Sequence, residues 1–257
     1  DWIRRHLSSD AQVTVTDVTD AWAVLGVMGP RSRELLGRAS GADLGSAAFP
    51  FGASREIAIG PTTVRASRIT YVGELGWELY VPVAEAPGVY DVLQEHGRDL
   101  GLRDAGYYAM DSLRCEKAYR AWGREVTTED TPWEAGLGFA VRLDKAVPFI
   151  GREALVSRRT QPLTKRLLIF VLEDPDALPW GDEPILRDGR VVGVVTSAAF
   201  GHTLGRAVAM GYVREPAGVD EAYIAGGAFA LDVGGARVPA RASLAAPYDP
   251  RGLRIKS

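Results

Sequence analysis

Chemistry-bearing residues concentrate between Tyr71 and Tyr119. The stretch opens on Tyr71-Val72-Gly73-Glu74-Leu75-Gly76-Trp77-Glu78-Leu79 and closes on Ala109-Met110-Asp111-Ser112-Leu113-Arg114-Cys115-Glu116-Lys117-Ala118-Tyr119. Glu78 stands between Trp77 and Leu79 in an apolar strand pattern. Strict alternation places Trp77 and Leu79 on one face and Glu78 with Tyr80 on the other. A carboxylate is acceptor-only and can take two parallel N–H bonds, as an amino-pyrimidine edge would offer. Flanking glycines permit close backbone approach. The stretch therefore reads as one wall of a site for a flat, polar heterocycle, with tyrosines, a tryptophan and carboxylates brought close together. The bland alternative for Glu78 is a solvated strand residue, and spacing alone does not choose between the two.

The other polar residues carry weaker signals. Tyr71, Tyr107, Tyr108 and Tyr119 fit partly buried core or interface positions as well as ligand platforms. Asp111, Arg114 and Glu116 read as helix-surface ion-pair residues, since Asp111 and Arg114 are three apart. Cys115 reads as a small buried hydrophobe, with no local histidine or helix start to activate it. His202 reads as a turn residue first and a site residue second. His6, His96 and His202 show no metal spacing, and no metal site is expected. Dinucleotide, Walker, zincin and nucleophile-elbow motifs are absent.

Composition bounds the class. The 257 residues are 46% apolar and 25% charged, with a formal net charge of −3, so no polybasic field points to nucleic acid. No apolar run is long enough to span a bilayer, so no membrane partner is expected. The single cysteine excludes an intrachain disulfide and fits a reducing compartment: the cytoplasm, or the mitochondrial matrix in a eukaryote. The first residues, Asp1-Trp2-Ile3-Arg4-Arg5-His6-Leu7, lack an initiator Met and a signal-peptide core and read as the end of an amphipathic helix. The expectation is a piece of a longer polypeptide.

The elements that must position these residues follow from periodicity. Strands are expected over 13–18, 21–28, 54–59 and 62–69, and a strand pair or bent strand over 70–81. Helices are expected over 31–37, 85–100 and 108–119, the last with Leu113 and Ala109 inward. This order suggests an α+β layer, an antiparallel sheet with helices on one face. Thr131 can cap a turn begun by Pro132, with Glu134 at its positive end. A strand over 139–143 and a short helix from Phe149 complete the first region. The polar joint 158–164 suggests a boundary, giving regions 1–158 and 159–257. Beyond it, short strands at 166–172, 184–187, 190–198, 208–213, 228–233 and 237–243 alternate with turns such as Asp188-Gly189. They imply a barrel or sandwich of about ninety residues.

Six stretches, in order, resemble the folate-dependent aminomethyltransferases, the T-protein family of glycine cleavage. They are Val27 to Pro30, Tyr71 to Pro82, Asp111 to Lys117, Asp130 to Leu137, Phe149 to Leu155, and Gly193 to Ser197 continued by Ala209 to Val213. Arg120-Ala121-Trp122-Gly123 after Tyr119 resembles the branch found as the C-terminal folate module of dimethylglycine and sarcosine dehydrogenases. The resemblance implies a sheet-and-helix folate-binding body followed by a small C-terminal β-barrel. It implies tetrahydrofolate as cofactor, with Glu78 on the pterin edge and Tyr71 and Tyr119 lining the pocket. It further implies transfer of a one-carbon unit from a methylated amine, with FAD only on a region preceding residue 1. The family's proton-transfer aspartate would also precede residue 1, leaving the catalytic residues unknown. Met110 stands where T-proteins carry an arginine. The alternatives are a stand-alone aminomethyltransferase working with a lipoyl carrier, and a non-catalytic folate-binding or scaffold fragment.

Overall fold

The computed structural model describes residues 1–257. The elements are α1 (Trp2–Arg5), β1 (Trp22–Met28), α2 (Ser32–Ser40), β2 (Ser54–Ile59), β3 (Thr62–Ser67), β4 (Gly76–Pro82), α3 (Ala86–Gly97), α4 (Tyr107–Glu116) and α5 (Arg152–Arg159). They continue with β5 (Lys165–Leu172), β6 (Pro184–Arg187), β7 (Arg190–Gly201), β8 (Arg206–Arg214), α6 (Glu221–Ala225), β9 (Phe229–Val233), β10 (Ala236–Ser243) and α7 (Leu253–Lys256). The chain forms two compact units. The first comprises Asp1–Thr70, Glu74–Arg103 and Ile255–Ser257, and the second Tyr71–Gly73 and Asp104–Arg254.

The first unit is an antiparallel sheet in the order β1-β4-β3-β2. Alternation in β4 sends Trp77, Leu79 and Val81 into the core and leaves Glu78 and Tyr80 half-buried on the other face. Leu35 and Leu36 of α2 and Val89 and Leu93 of α3 pack onto the core face. Pro87 near the start of α3 lacks an N–H that would be orphaned there anyway. Trp77 is fully buried, meets Phe49 edge-on with ring centroids 6.0 Å apart, and lies beneath the guanidinium of Arg68 at 5.6 Å. Arg68, also fully buried, donates to the carbonyl oxygens of Phe49 and Ser257 at 2.8 Å each.

The second unit is a closed barrel in the order β10-β5-β8-β7-β6-β9. β5 is apolar on both faces because both are covered. Leu168, Phe170 and Leu172 fill the barrel. Leu167 and Ile169 point outward and pack with Cys115 and Ala118 at the end of α4. Burial pushes the Cys115 thiol up to about 11, so it behaves as a hydrophobe. All six expected barrel strands form.

Four local expectations are corrected. Residues 13–18 form no strand, although they alternate; β1 is an edge strand paired only with β4, and no ladder reaches them. Residues 70–75 bend, and the strand begins at Gly76. A 3-10 turn over Gly138–Ala140 replaces the expected strand at 139–143, with Phe139 84% exposed. In α4, Ala109 is exposed and Leu113 half-buried, while Ser112, Arg114, Cys115 and Glu116 are buried. The inward face of that helix is largely polar, with Cys115 its apolar member.

Candidate functional site

Glu78 sits on β4, an inner strand of the sheet. Gly26 of β1 and Ser67 of β3 lie directly beside it, and Val24 and Arg65 flank Tyr80. This face is open: Trp22 is 43% and Val24 53% exposed. The Tyr80 hydroxyl donates to Glu78 Oε2 at 2.9 Å. That hydrogen bond, then burial, raises the Tyr80 phenol above its ordinary range, so it stays protonated. Gly76 permits the β1–β4 pairing: a Cβ there would lie 2.2 Å from Met28 Sδ and 2.6 Å from the Val27 carbonyl oxygen. Trp77, grouped with the site by proximity in sequence, is instead a core residue of the sheet.

Tyr71 and Tyr119 belong to the second unit and come together there, rings stacked with centroids 6.3 Å apart and planes 27° apart. Tyr71 Oη donates to the Arg120 carbonyl oxygen at 3.1 Å. Burial raises both phenols, so both remain neutral donors over the physiological range. Gly73 sets up this approach with φ +76°, and a Cβ there would meet Lys117 Cγ at 2.0 Å. Tyr107 and Tyr108, at the start of α4, are 82% and 87% exposed and join neither ring. Met110 is half-buried on α4, so a thioether, not a guanidinium, occupies that turn.

Beneath the tyrosine pair lies a buried charge node that the helix-surface reading missed. Arg114, 1% exposed, donates to Asp111 Oδ1 at 2.8 Å, to the Tyr119 carbonyl oxygen and Glu125 Oε2 at 3.0 Å each, and to Ser197 Oγ at 2.9 Å. Glu125 is fully buried and also accepts from the Ala121 N–H and the Thr196 hydroxyl, each at 2.8 Å. Thr196 is the extra residue of a bulge in the β7–β8 ladder, where Val195 faces Gly211 and Ser197 faces Met210. The bulge lets consecutive hydroxyls serve one node, which regular alternation forbids. Glu116 is likewise no surface residue. It is 1% exposed, and its Oε1 accepts the N–H groups of Thr203 and Leu204 at 2.8 and 3.0 Å, fixing the β7–β8 turn. His202 in that turn is exposed, with its ring edge-on to Phe200.

Thr131 and Glu134 form a reciprocal cap. Glu134 Oε2 accepts the Thr131 N–H and hydroxyl at 2.8 Å each, and Thr131 Oγ1 accepts the Glu134 N–H at 3.3 Å. No full helix follows, only turns. Two clefts of the second unit, of about 830 and 770 Å³, are lined by residues such as Arg187 and Tyr212 and by Trp133 and Val156. Neither includes Tyr71 or Tyr119 among its lining residues.

An antiparallel sheet, in one chain with a closed six-stranded barrel, defines an α+β fold. The chain belongs to the glycine cleavage T-protein family: the GCVT N-terminal domain matches residues 1–145, and the glycine cleavage T-protein C-terminal barrel domain matches 165–249. It is 40% identical over 248 residues to human mitochondrial sarcosine dehydrogenase, covering 96% of this chain and 27% of that protein. It is 36% identical over 255 residues to the mouse mitochondrial pyruvate dehydrogenase phosphatase regulatory subunit, covering 95% of this chain and 29% of that protein. The chain thus spans under a third of the length of these relatives. Its fold matches the crystal structure of the glycine cleavage system aminomethyltransferase T from Bartonella henselae with a TM-score of 0.63 at 20% identity, covering 89% of this chain and 84% of that one. No helix is long and apolar enough to cross a membrane.

Proposed function

We propose that this chain is the tetrahydrofolate-binding module of an enzyme that transfers a one-carbon unit from N-methylated glycine derivatives, as in sarcosine and dimethylglycine dehydrogenases. The observation that carries the reading is the Glu78 carboxylate, tethered on the open face of an inner strand by Tyr80. The residues fit the cofactor chemically. A pterin presents two parallel N–H donors along its amino-pyrimidine edge, and Glu78 offers two acceptor oxygens and no donor. Tyr71 and Tyr119 supply a paired aromatic wall suited to a flat, partly apolar ligand.

Bound tetrahydrofolate supplies the amine nucleophiles that accept the carbon. The part proposed for this chain is orientation of the pterin edge by Glu78. The amine donor, a flavin-bearing region outside these residues, and a setting in the cytoplasm or the mitochondrial matrix belong to the same proposal. So does a functional division near residue 158.

A second reading has its own support, because the pyruvate dehydrogenase phosphatase regulatory subunit is also a relative. On that reading the module binds or scaffolds without catalysing. Calorimetric titration of the full-length protein with tetrahydrofolate tests the first reading. Glu78→Gln replaces an acceptor with a donor facing the ligand's donors and should weaken binding about 10- to 100-fold, the loss of a bond to a charged group. Absence of binding by the wild-type protein would sink the folate reading. Binding without formation of methylenetetrahydrofolate from sarcosine would select the non-catalytic one.

A further inference from the structure

We propose that Tyr80 is a positioning residue for Glu78, fixing the plane of its carboxylate so that the site selects ligands with two parallel N–H donors. This rests on the folate reading of Glu78 given above and adds to it a second residue that sets specificity. Tyr80 lies two residues along β4, on the same face, and its hydroxyl reaches Glu78 Oε2 at 2.9 Å.

The neighbours of Glu78 offer it nothing else. Gly26, beside it on β1, has no side chain. Ser67, beside it on β3, donates its hydroxyl to Ser54 at 3.0 Å. Arg65, beside Tyr80, is committed to Glu56 at 2.9 Å. The tether is therefore the phenol alone.

A glutamate on an open sheet face samples many rotamers, and ordering it on binding costs side-chain entropy. A charge-assisted O–H···O bond from a residue fixed in an inner strand removes part of that cost before the ligand arrives. It also occupies one acceptor direction of Oε2. The remaining directions of Oε2 and Oε1 face a donor pair lying in one plane. A 2-amino-4-oxopyrimidine matches that pair. An analogue without the 2-amino group presents one donor and gains nothing from a fixed plane.

The test is Tyr80→Phe in the full-length protein, titrated calorimetrically with tetrahydrofolate and with its 2-desamino analogue. Phenylalanine keeps the ring and removes only the hydroxyl. The expected result is a Kd for tetrahydrofolate raised about five- to tenfold, the size of one lost hydrogen bond, with the Kd for the 2-desamino analogue unchanged. In a double-mutant cycle, Glu78→Gln with Tyr80→Phe should bind no more weakly than Glu78→Gln alone. A wild-type Kd in Tyr80→Phe beside a weakened Glu78→Gln would overturn the positioning role and leave the folate reading of Glu78 standing. Equal weakening toward both ligands would also overturn it, by showing a merely structural hydroxyl. Unchanged tetrahydrofolate binding in both single variants would overturn the folate reading of Glu78, and the positioning role with it.

Discussion

The sheet face around Glu78 and the charge node around Arg114 are built on opposite principles. On the sheet, Glu78 is half-buried, held by one neighbour, and placed on its face by simple alternation. At α4 and the barrel, Arg114 and Glu125 are both almost wholly out of solvent and fixed by many partners. The first arrangement leaves acceptor capacity unused and points it outward. The second commits four of the five N–H donors of a guanidinium, to Asp111, Glu125, Ser197 and the carbonyl oxygen of Tyr119 itself. One is open and singly held, the other closed and rigid, and mutations should separate them cleanly.

The largest effect is expected at Arg114. Replacing it with Met strands the Glu125 carboxylate in a fully buried position. Breaking a buried pair from one side costs about 3–5 kcal/mol. For a unit of this size that lowers the melting temperature by roughly 6–20 °C. Differential scanning calorimetry of the variant measures it. Replacing Arg114 and Glu125 together by Met and Leu should recover much of the loss, because no lone charge remains. If the double replacement is as unstable as the single, the node is not an ion-pair device and the contrast fails.

Gly73→Ala comes next. The residue has φ +76°, and its new Cβ would fall 2.0 Å from Lys117 Cγ, on a buried side chain whose ammonium is held by Asp249 at 3.0 Å. Left-handed strain together with overpacking is expected to cost about 1–3 kcal/mol. A urea titration would register it as a lower midpoint with an unchanged slope. The same substitution should disturb the Tyr71–Tyr119 pair, so near-ultraviolet circular dichroism should change as well.

These differences explain what was legible in the sequence. Period-two patterning and turn residues such as Asp188-Gly189 announced all six barrel strands, because a strand in a closed barrel obeys local rules along its whole length. The face on which Glu78 stands was legible for the same reason. Residues 13–18 alternate equally well but meet no partner strand, and alternation without a ladder does not make one. Arg114 misled because spacing of three along a helix describes which residues are neighbours, not which face another element covers. The barrel covers that face, and only tertiary packing reveals it. The bulge at Thr196 was hidden too, since adjacent hydroxyls on a strand read as pointing opposite ways.

Acid should sharpen the comparison further. Burial alone would raise Asp130 and Asp249, but the bonds from Lys165 and Thr127 to the first, and from the Leu253 N–H and Lys117 to the second, outweigh it and lower both. A carboxyl lowered in the folded state contributes stability that is complete above its unfolded value, about 3.9, and is lost as pH falls through the folded value. Both residues belong to the second unit. Its melting temperature should therefore fall on acidification below about pH 4. Asp130→Asn and Asp249→Asn should each flatten that dependence.

The smallest effect on stability is expected at Glu78, and it is the sharpest test of the contrast. Its one side-chain bond is made on an open face, so Glu78→Gln should change unfolding free energy by no more than about 0.5 kcal/mol. An amide can still accept from Tyr80, which keeps even that contact. The same change is expected to weaken tetrahydrofolate binding strongly, so stability and affinity should part company at this residue. A loss of several kcal/mol on chemical denaturation would place Glu78 with Arg114 as a structural charge, and the sheet face would then be one more rigid wall.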